Sequence, residues 1–287
     1  MTTILDELAA HAKERVTEAN RIHPLSEIRA IVQSFRNDDR DPYDAKAFAF
    51  EKALKKGNSH KDPGEKEIAF ICECKKASPS KGVISADFPY LKIAMEYESA
   101  GADCISVLTE PKWFLGSDTY LREIAGKVRI PCLRKDFIVD EYMIYEARLL
   151  GASAVLLICR LLSDSQLSEY LEICDDLGMS ALTEAHDEEE ISRALSAGAR
   201  VIGVNNRNLM DFSVDTGNAV RLRQMVPENV LFVAESGIRR AQDVALLKEA
   251  DVDAVLIGEA LMRAPDKRFL LQEFKNAGKG NTERRHR

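Results

Sequence analysis

Acidic and basic side chains recur in this chain where apolar runs end, and their types suit acid–base chemistry on an anion. In the stretch IAFICECKKASPSKG (68–82), an apolar run gives way to Glu73, Lys75, Lys76, Ser78 and Lys81. Side chains alternate faces along a strand, so Glu73 and Lys75 share a face. A carboxylate and an ammonium at the mouth of a buried strand are costly unless they pair or bind something. The stretch LRKDF (133–137) brings Lys135 between Arg134 and Asp136. A lysine aimed into such a mouth is a candidate general acid. Glu184 ends the run LTE, where a carboxylate with a tuned pKa can serve as base or acid. Asn205 and Arg207 in GVNNRNL lie two residues apart. Asn offers both donor and acceptor, and Arg a planar fork for oxyanions. Trp113 and Phe114 follow Thr109 and Glu110, and form either a hydrophobic plug or a flat surface for an aromatic ligand.

Two glycine turns sharpen the picture. Ser236 and Gly237 follow one apolar run, and Gly258 and Glu259 follow the next. Glycine lets backbone N–H groups approach an anion such as phosphate. Only the backbone N–H of Glu259 is useful there, and its carboxylate must turn away.

These residues need elements to hold them. Eight short β-rich runs recur, at 68–74, 104–108, 130–133, 154–159, 180–182, 200–204, 230–234 and 254–257, with helix-period intervals between them. Alternating strand and helix implies βαβ units and a parallel sheet buried on both faces. Gly101, Gly151, Gly178 and Gly198 each precede a run and suit the left-handed position that closes a helix. The last unit has EADVDA in place of such a glycine. Ser163–Gln166 and Asp187–Glu190 read as capping boxes. The count of eight, with polar residues ending nearly every run, favours a (β/α)8 TIM barrel, whose sites collect at that end. A doubly wound sheet would gather them at one switch point.

Residues 1–66 carry no strand pattern and read as a helical extension packed on the barrel, with apolar stripes Ile4-Leu5-Leu8-Ala12 and Leu25-Ile28-Ile31-Val32. Phe50 and Leu54 lie one turn apart and can dock on a larger body, and 57–66 reads as a loop. The barrel is expected over 67–275, and 276–287 as a disordered tail. The chain has 287 residues and a net charge of −7, which argues against a general nucleic-acid binder. It contains no long apolar run that could span a membrane. Its six cysteines lie mostly in apolar runs, as reduced core residues of a cytoplasmic protein would.

ECKKASPSKG, LTE with FLGS, LRKDFIVDEYMIYEARLLGASAVLLI, LTEAH, GVNNRNL, AESGI and VLIGEALM occur in this order. Together they resemble indole-3-glycerol phosphate synthase of tryptophan biosynthesis, over roughly residues 68–265. The helical start also resembles that family's extension over its barrel. The resemblance implies a lyase that closes the ring of 1-(2-carboxyphenylamino)-1-deoxy-D-ribulose 5-phosphate with loss of CO2 and water. No metal or organic cofactor is implied, and a phosphorylated small molecule is the only partner, with no nucleic acid or membrane. A monomer or weak homo-oligomer in the cytoplasm is expected.

By the same resemblance, Lys135 is the general acid and Glu184 the general base. Lys75 and Glu73 match active-site positions, with Lys75 near a substrate anion. Asn205 and Arg207 form a polar pair, and Arg207 acts on an anion. Ser236, Gly237, Gly258 and Glu259 form the phosphate site, with Ser78 near its rim and Phe114 on the substrate ring. Of the lysines in 68–82, Lys76 and Lys81 are expected in solvent. Two other readings stay open. One is another phosphate-binding barrel enzyme, such as an isomerase, which would lack ECKKASPSKG and the LRKDF lysine. The other is a catalytically silent barrel acting as a binding partner.

Overall fold

The computed structural model describes residues 3–36, 47–55, 67–208 and 212–278. Eight strands form the barrel: β1 (Ala69–Cys74), β2 (Cys104–Leu108), β3 (Cys132–Lys135), β4 (Ala154–Ile158), β5 (Ser180–Ala185), β6 (Val201–Asn205), β7 (Leu231–Glu235) and β8 (Ala254–Ile257). All neighbours are parallel, and the ring closes where β1 pairs with both β8 and β2, with Ala69 opposite Ala254 and Ile71 opposite Cys104. Closure leaves no free edge and buries both faces, which is why these strands read as continuous apolar runs. Within the eight strands, Lys135 alone is not fully buried.

The expected runs find their strands, with shifts at the ends. β3 begins at Cys132, after Pro131, which has no N–H to donate to a ladder. It extends through Lys135, as β5 extends through Glu184, β6 through Asn205 and β7 through Glu235. The polar candidates are therefore terminal strand residues fixed by ladder hydrogen bonds. Gly101, Gly151, Gly178 and Gly198 have φ of 89°, 87°, 63° and 89°, the left-handed closure expected of them. In the last unit Asp251 takes that position, with φ 59°.

The helices are α1 (Ile4–Ile22), α2 (Leu25–Arg36), α3 (Ala49–Leu54), α4 (Tyr90–Ser99), α5 (Asp118–Ala125), α6 (Tyr142–Leu149), α7 (Asp164–Asp176), α8 (Glu188–Ser196), α9 (Gly217–Arg223), α10 (Ala241–Glu249), α11 (Glu259–Arg263) and α12 (Lys267–Gly278). Thr3 caps α1 in a reciprocal box with Asp6, and Leu5, Leu8 and Ala12 are buried. On α2, Ile28 and Val32 are buried, but Ile31 is 41% exposed and falls outside the expected stripe. Phe50 and Leu54 are fully buried against the barrel. The Ser163 box on α7 is present. Asp187 accepts from Glu190 N, but its box is half-formed, because the Glu190 carboxylate goes to His186 and Arg160 instead. The expected loop at 57–66 lies outside the described residues. α12 runs to Gly278, past the expected barrel end at 275, and the remainder of the tail also lies outside them. Among the described residues no helix is long and apolar enough to cross a membrane.

Candidate active site

A cavity of about 440 Å³ opens at the C-terminal end of the strands. Its wall gathers all twelve residues singled out above: Glu73, Lys75, Ser78, Phe114, Lys135, Glu184, Asn205, Arg207, Ser236, Gly237, Gly258 and Glu259. They come from seven of the eight barrel strands or the loops that follow them. Ile4, Leu5 and Leu8 of α1 and Phe137 and Phe212 add apolar walls. A cavity of this size suits a small ligand, and charged and polar groups share its wall with apolar ones.

Lys75 Nζ lies 2.5 Å from Glu73 Oε1, as the shared face requires. Burial alone would raise the Glu73 carboxyl, but Lys75, Lys135 and Arg207 outweigh it and hold it below the usual range. Lys135 Nζ stands 3.4 Å from Glu235 Oε2 and 3.6 Å from Glu184 Oε2. Burial works against its charge, yet Glu235, Glu184 and Glu73 more than offset that and push its pKa above the lysine range. Glu235 behaves oppositely to Glu73. Its pKa is pushed up to about 7: burial raises it most, Lys135 pulls it back, and Glu184 and Glu73 raise it again. The difference is a matter of partners. Glu73 has Lys75 in contact, whereas Glu235 shares Lys135 with Glu184 at longer range.

The LRKDF cluster divides its labour. Arg134 and Asp136 are buried and structural, and between them Lys135 reaches the cavity as a partly exposed cation. Arg134 binds Asp118, Glu146 and the Met143 carbonyl. Asp136 accepts from Thr109 and from both terminal nitrogens of Arg15 on α1, which ties the extension to the residue beside Lys135. Glu110 is likewise structural: its carboxylate accepts three N–H bonds, from Lys112, Trp113 and Phe114. That turn sets Phe114 on the cavity wall, while Trp113 packs edge-on against His11.

On the far side, Ser236 (φ 65°) and Gly237 (φ 82°) are both left-handed and turn the chain sharply after β7. Asn206 Nδ2 donates to the Ser236 carbonyl, which braces this turn from β6. Gly258 caps α11 beneath the first strand's ion pair: a Cβ there would run into Glu73 Oε1 and stand 3.0 Å from Lys75 Nζ. The Glu259 carboxylate turns to Arg263, leaving its N–H as the useful group. Arg207 donates to the Phe212 carbonyl, and its N–H donates to Asn205 Oδ1. Lys81 is exposed, as expected, and it also lines the cavity rim, where a short antiparallel ribbon (Ala77–Ser78 with Gly82–Val83) folds it back.

Two residues of this site escape the strand-end reading. Glu235 was visible only as the end of a run, yet it contacts Lys135. Its signal was Gly203, mid-strand in β6, where a Cβ would collide with Glu235 Oε1. Glycine inside a strand marks a close approach. Asn206 carried no signal separate from Asn205.

Comparison with known proteins agrees with this geometry. The family model for indole-3-glycerol phosphate synthase matches residues 5–274. An indole-3-glycerol phosphate synthase of Ruminiclostridium cellulolyticum is 52% identical over 263 residues, covering 92% of this chain and 95% of the relative. One from Endomicrobium trichonymphae is 51% identical, covering 95% of this chain and all of the relative. Among solved structures, 3-hexulose-6-phosphate synthase from Salmonella typhimurium superposes with a TM-score of 0.61 at 14% identity, over 73% of this chain and 98% of that one, a likeness of fold alone. The chain belongs to the indole-3-glycerol phosphate synthase family.

Proposed function

We propose that the cavity performs the family's ring closure with Lys135 as general acid and Glu184 as general base. The reading rests on one observation above all: a single partly exposed lysine stands between two buried carboxylates in a phosphate-sized and ring-sized cavity. The indole product requires that the aromatic carbon bearing the carboxylate bond to the carbonyl carbon of the sugar chain. Lys135 donates a proton to the carbonyl oxygen as that bond forms. CO2 then leaves, and its bonding pair restores the aromatic ring. A second proton, taken up from solvent, lets the new hydroxyl depart as water, and Glu184 removes a proton as the pyrrole double bond forms. Passing that proton from Glu184 to Lys135, 3.6 Å away, resets the pair.

The remaining groups bind and orient. Lys75, kept in place by Glu73, and Arg207 meet the carboxylate and phosphate, and Asn205 hydrogen-bonds the sugar chain. The backbone turns at Ser236-Gly237 and Gly258-Glu259 hold the phosphate, with Ser78 at the rim. Phe114 lies on the aromatic ring. Holding the two reacting carbons in one conformer removes much of the entropic barrier to closure. Local positive charge inside an acidic protein steers the anionic substrate in. The protein is taken to act in the cytoplasm as a monomer or weak homo-oligomer. The test is to incubate purified protein with the carboxyphenylamino substrate and follow indole fluorescence. Binding without any fluorescence change would leave the silent-barrel reading standing.

A further inference from the structure

The Glu184 carboxylate has a second neighbour that the ring-closing chemistry leaves unused. Its Oε2 faces Lys135, while its Oε1 lies 3.5 Å from His186 Nε2. His186 follows β5 directly, its side chain is 7% exposed, and it does not line the cavity. Its Nδ1 lies 3.0 Å from Glu190 Oε2, and the same oxygen accepts the His186 backbone N–H. The other Glu190 oxygen accepts from Arg160, and Asn218 on α9 donates to the His186 carbonyl. The ring is thus held at Nδ1 and the residue's backbone at its N–H and carbonyl, while Nε2 makes no hydrogen bond of its own.

A charge count shows why this matters. Glu184 and Glu235 share one ammonium, and Lys75 is committed to Glu73. Two buried carboxylates beside one cation cannot both be ionised cheaply. Glu235 meets the problem by holding its proton up to about pH 7. Among the described residues the second basic group against Glu184, the proposed base, is His186. The imidazole sits between two carboxylates: burial works against its charge, but Glu190 and Glu184 raise its pKa above the usual value. The charged and titratable groups facing this pair are Lys135, Glu235, Glu190, Arg160 and Cys159.

We propose that His186 is a positioning residue for the general base: anchored by Glu190, it fixes Glu184 Oε1 on the side away from the substrate and keeps Oε2 turned toward Lys135. This rests on Glu184 being the base. The test compares kcat, KM and the pH dependence of kcat for His186→Gln, Glu190→Gln and Glu184→Gln. Without the imidazole the acid limb of kcat is expected to move up by about one pH unit, with kcat at neutral pH down about tenfold. KM should stay within about twofold, since His186 touches no substrate. An acid limb unmoved in folded His186→Gln, or a loss carried by KM alone, would overturn the inference. Should His186→Gln not fold, Glu190→Gln decides by the same limb. Near-normal turnover by Glu184→Gln would instead remove the base assignment, and the inference with it.

Discussion

Replacing Glu235 with Gln should stabilise the protein in a pH-dependent way. The carboxyl is buried, and its pKa is pushed up to about 7 from an ordinary value near 4.5. Below the ordinary value both folded and unfolded states carry the proton, and Glu235 imposes no penalty. As pH rises towards 7, the unfolded chain releases the proton while the folded site keeps it, so stability falls. Above about 7 both states are ionised and the penalty is constant. A shift of this size corresponds to about 3 kcal/mol. Gln mimics the protonated form and escapes the penalty. The attraction to Lys135 is already contained in the shift and adds nothing further. Any cost of leaving the outer amide position unpaired, as Oε1 is now, is the same at every pH. Urea unfolding of both proteins at pH 5 and pH 8 isolates the effect. The gain from Glu235→Gln should be larger at pH 8 by most of that 3 kcal/mol. A gain that is flat with pH, or a net loss growing towards pH 8, would mean that pairing with Lys135 outweighs burial and would refute the reasoning.

Three further outcomes follow from particular contacts. Gly203→Ala places a Cβ against Glu235 Oε1, and should lower stability by about 2 kcal/mol, with less effect when combined with Glu235→Ala, as a double-mutant cycle would show. Arg15→Ala strips the bidentate partner from the buried Asp136, and should cost about 3 kcal/mol in denaturant unfolding. Gly237→Ala combines a positive φ with Cβ contacts of 2.7 Å to Thr216 and Val214; a loss of about 2 kcal/mol and a raised KM are expected, read from unfolding and from steady-state kinetics.

Much of this molecule was legible in advance for a physical reason. A strand buried on both faces has to be apolar throughout, so the eight runs marked themselves, and a charged residue at the end of such a run has no structural excuse. Lys135 and Glu184 were found that way. The same rule does not extend to Arg134 and Asp136, buried ion-pair groups with partners distant in sequence, or to Glu110, which caps its own turn. It fell short at Glu235, because the collision that explains Gly203 exists only once β6 and β7 are side by side. The clamp on His186 likewise depends on Glu190 giving up half of a capping box, which local spacing could not foretell. The helical extension showed its stripes, but not that Arg15 reaches the residue beside Lys135.

The central claim is that Lys135 supplies the proton for ring closure, and steady-state kinetics of Lys135→Ala tests it most directly. Purified variant and parent are compared for indole fluorescence under saturating substrate, with substrate affinity measured separately. The account predicts that turnover falls by about a hundredfold or more, as loss of a general acid does, while affinity changes only modestly. Near-normal turnover by Lys135→Ala would contradict it.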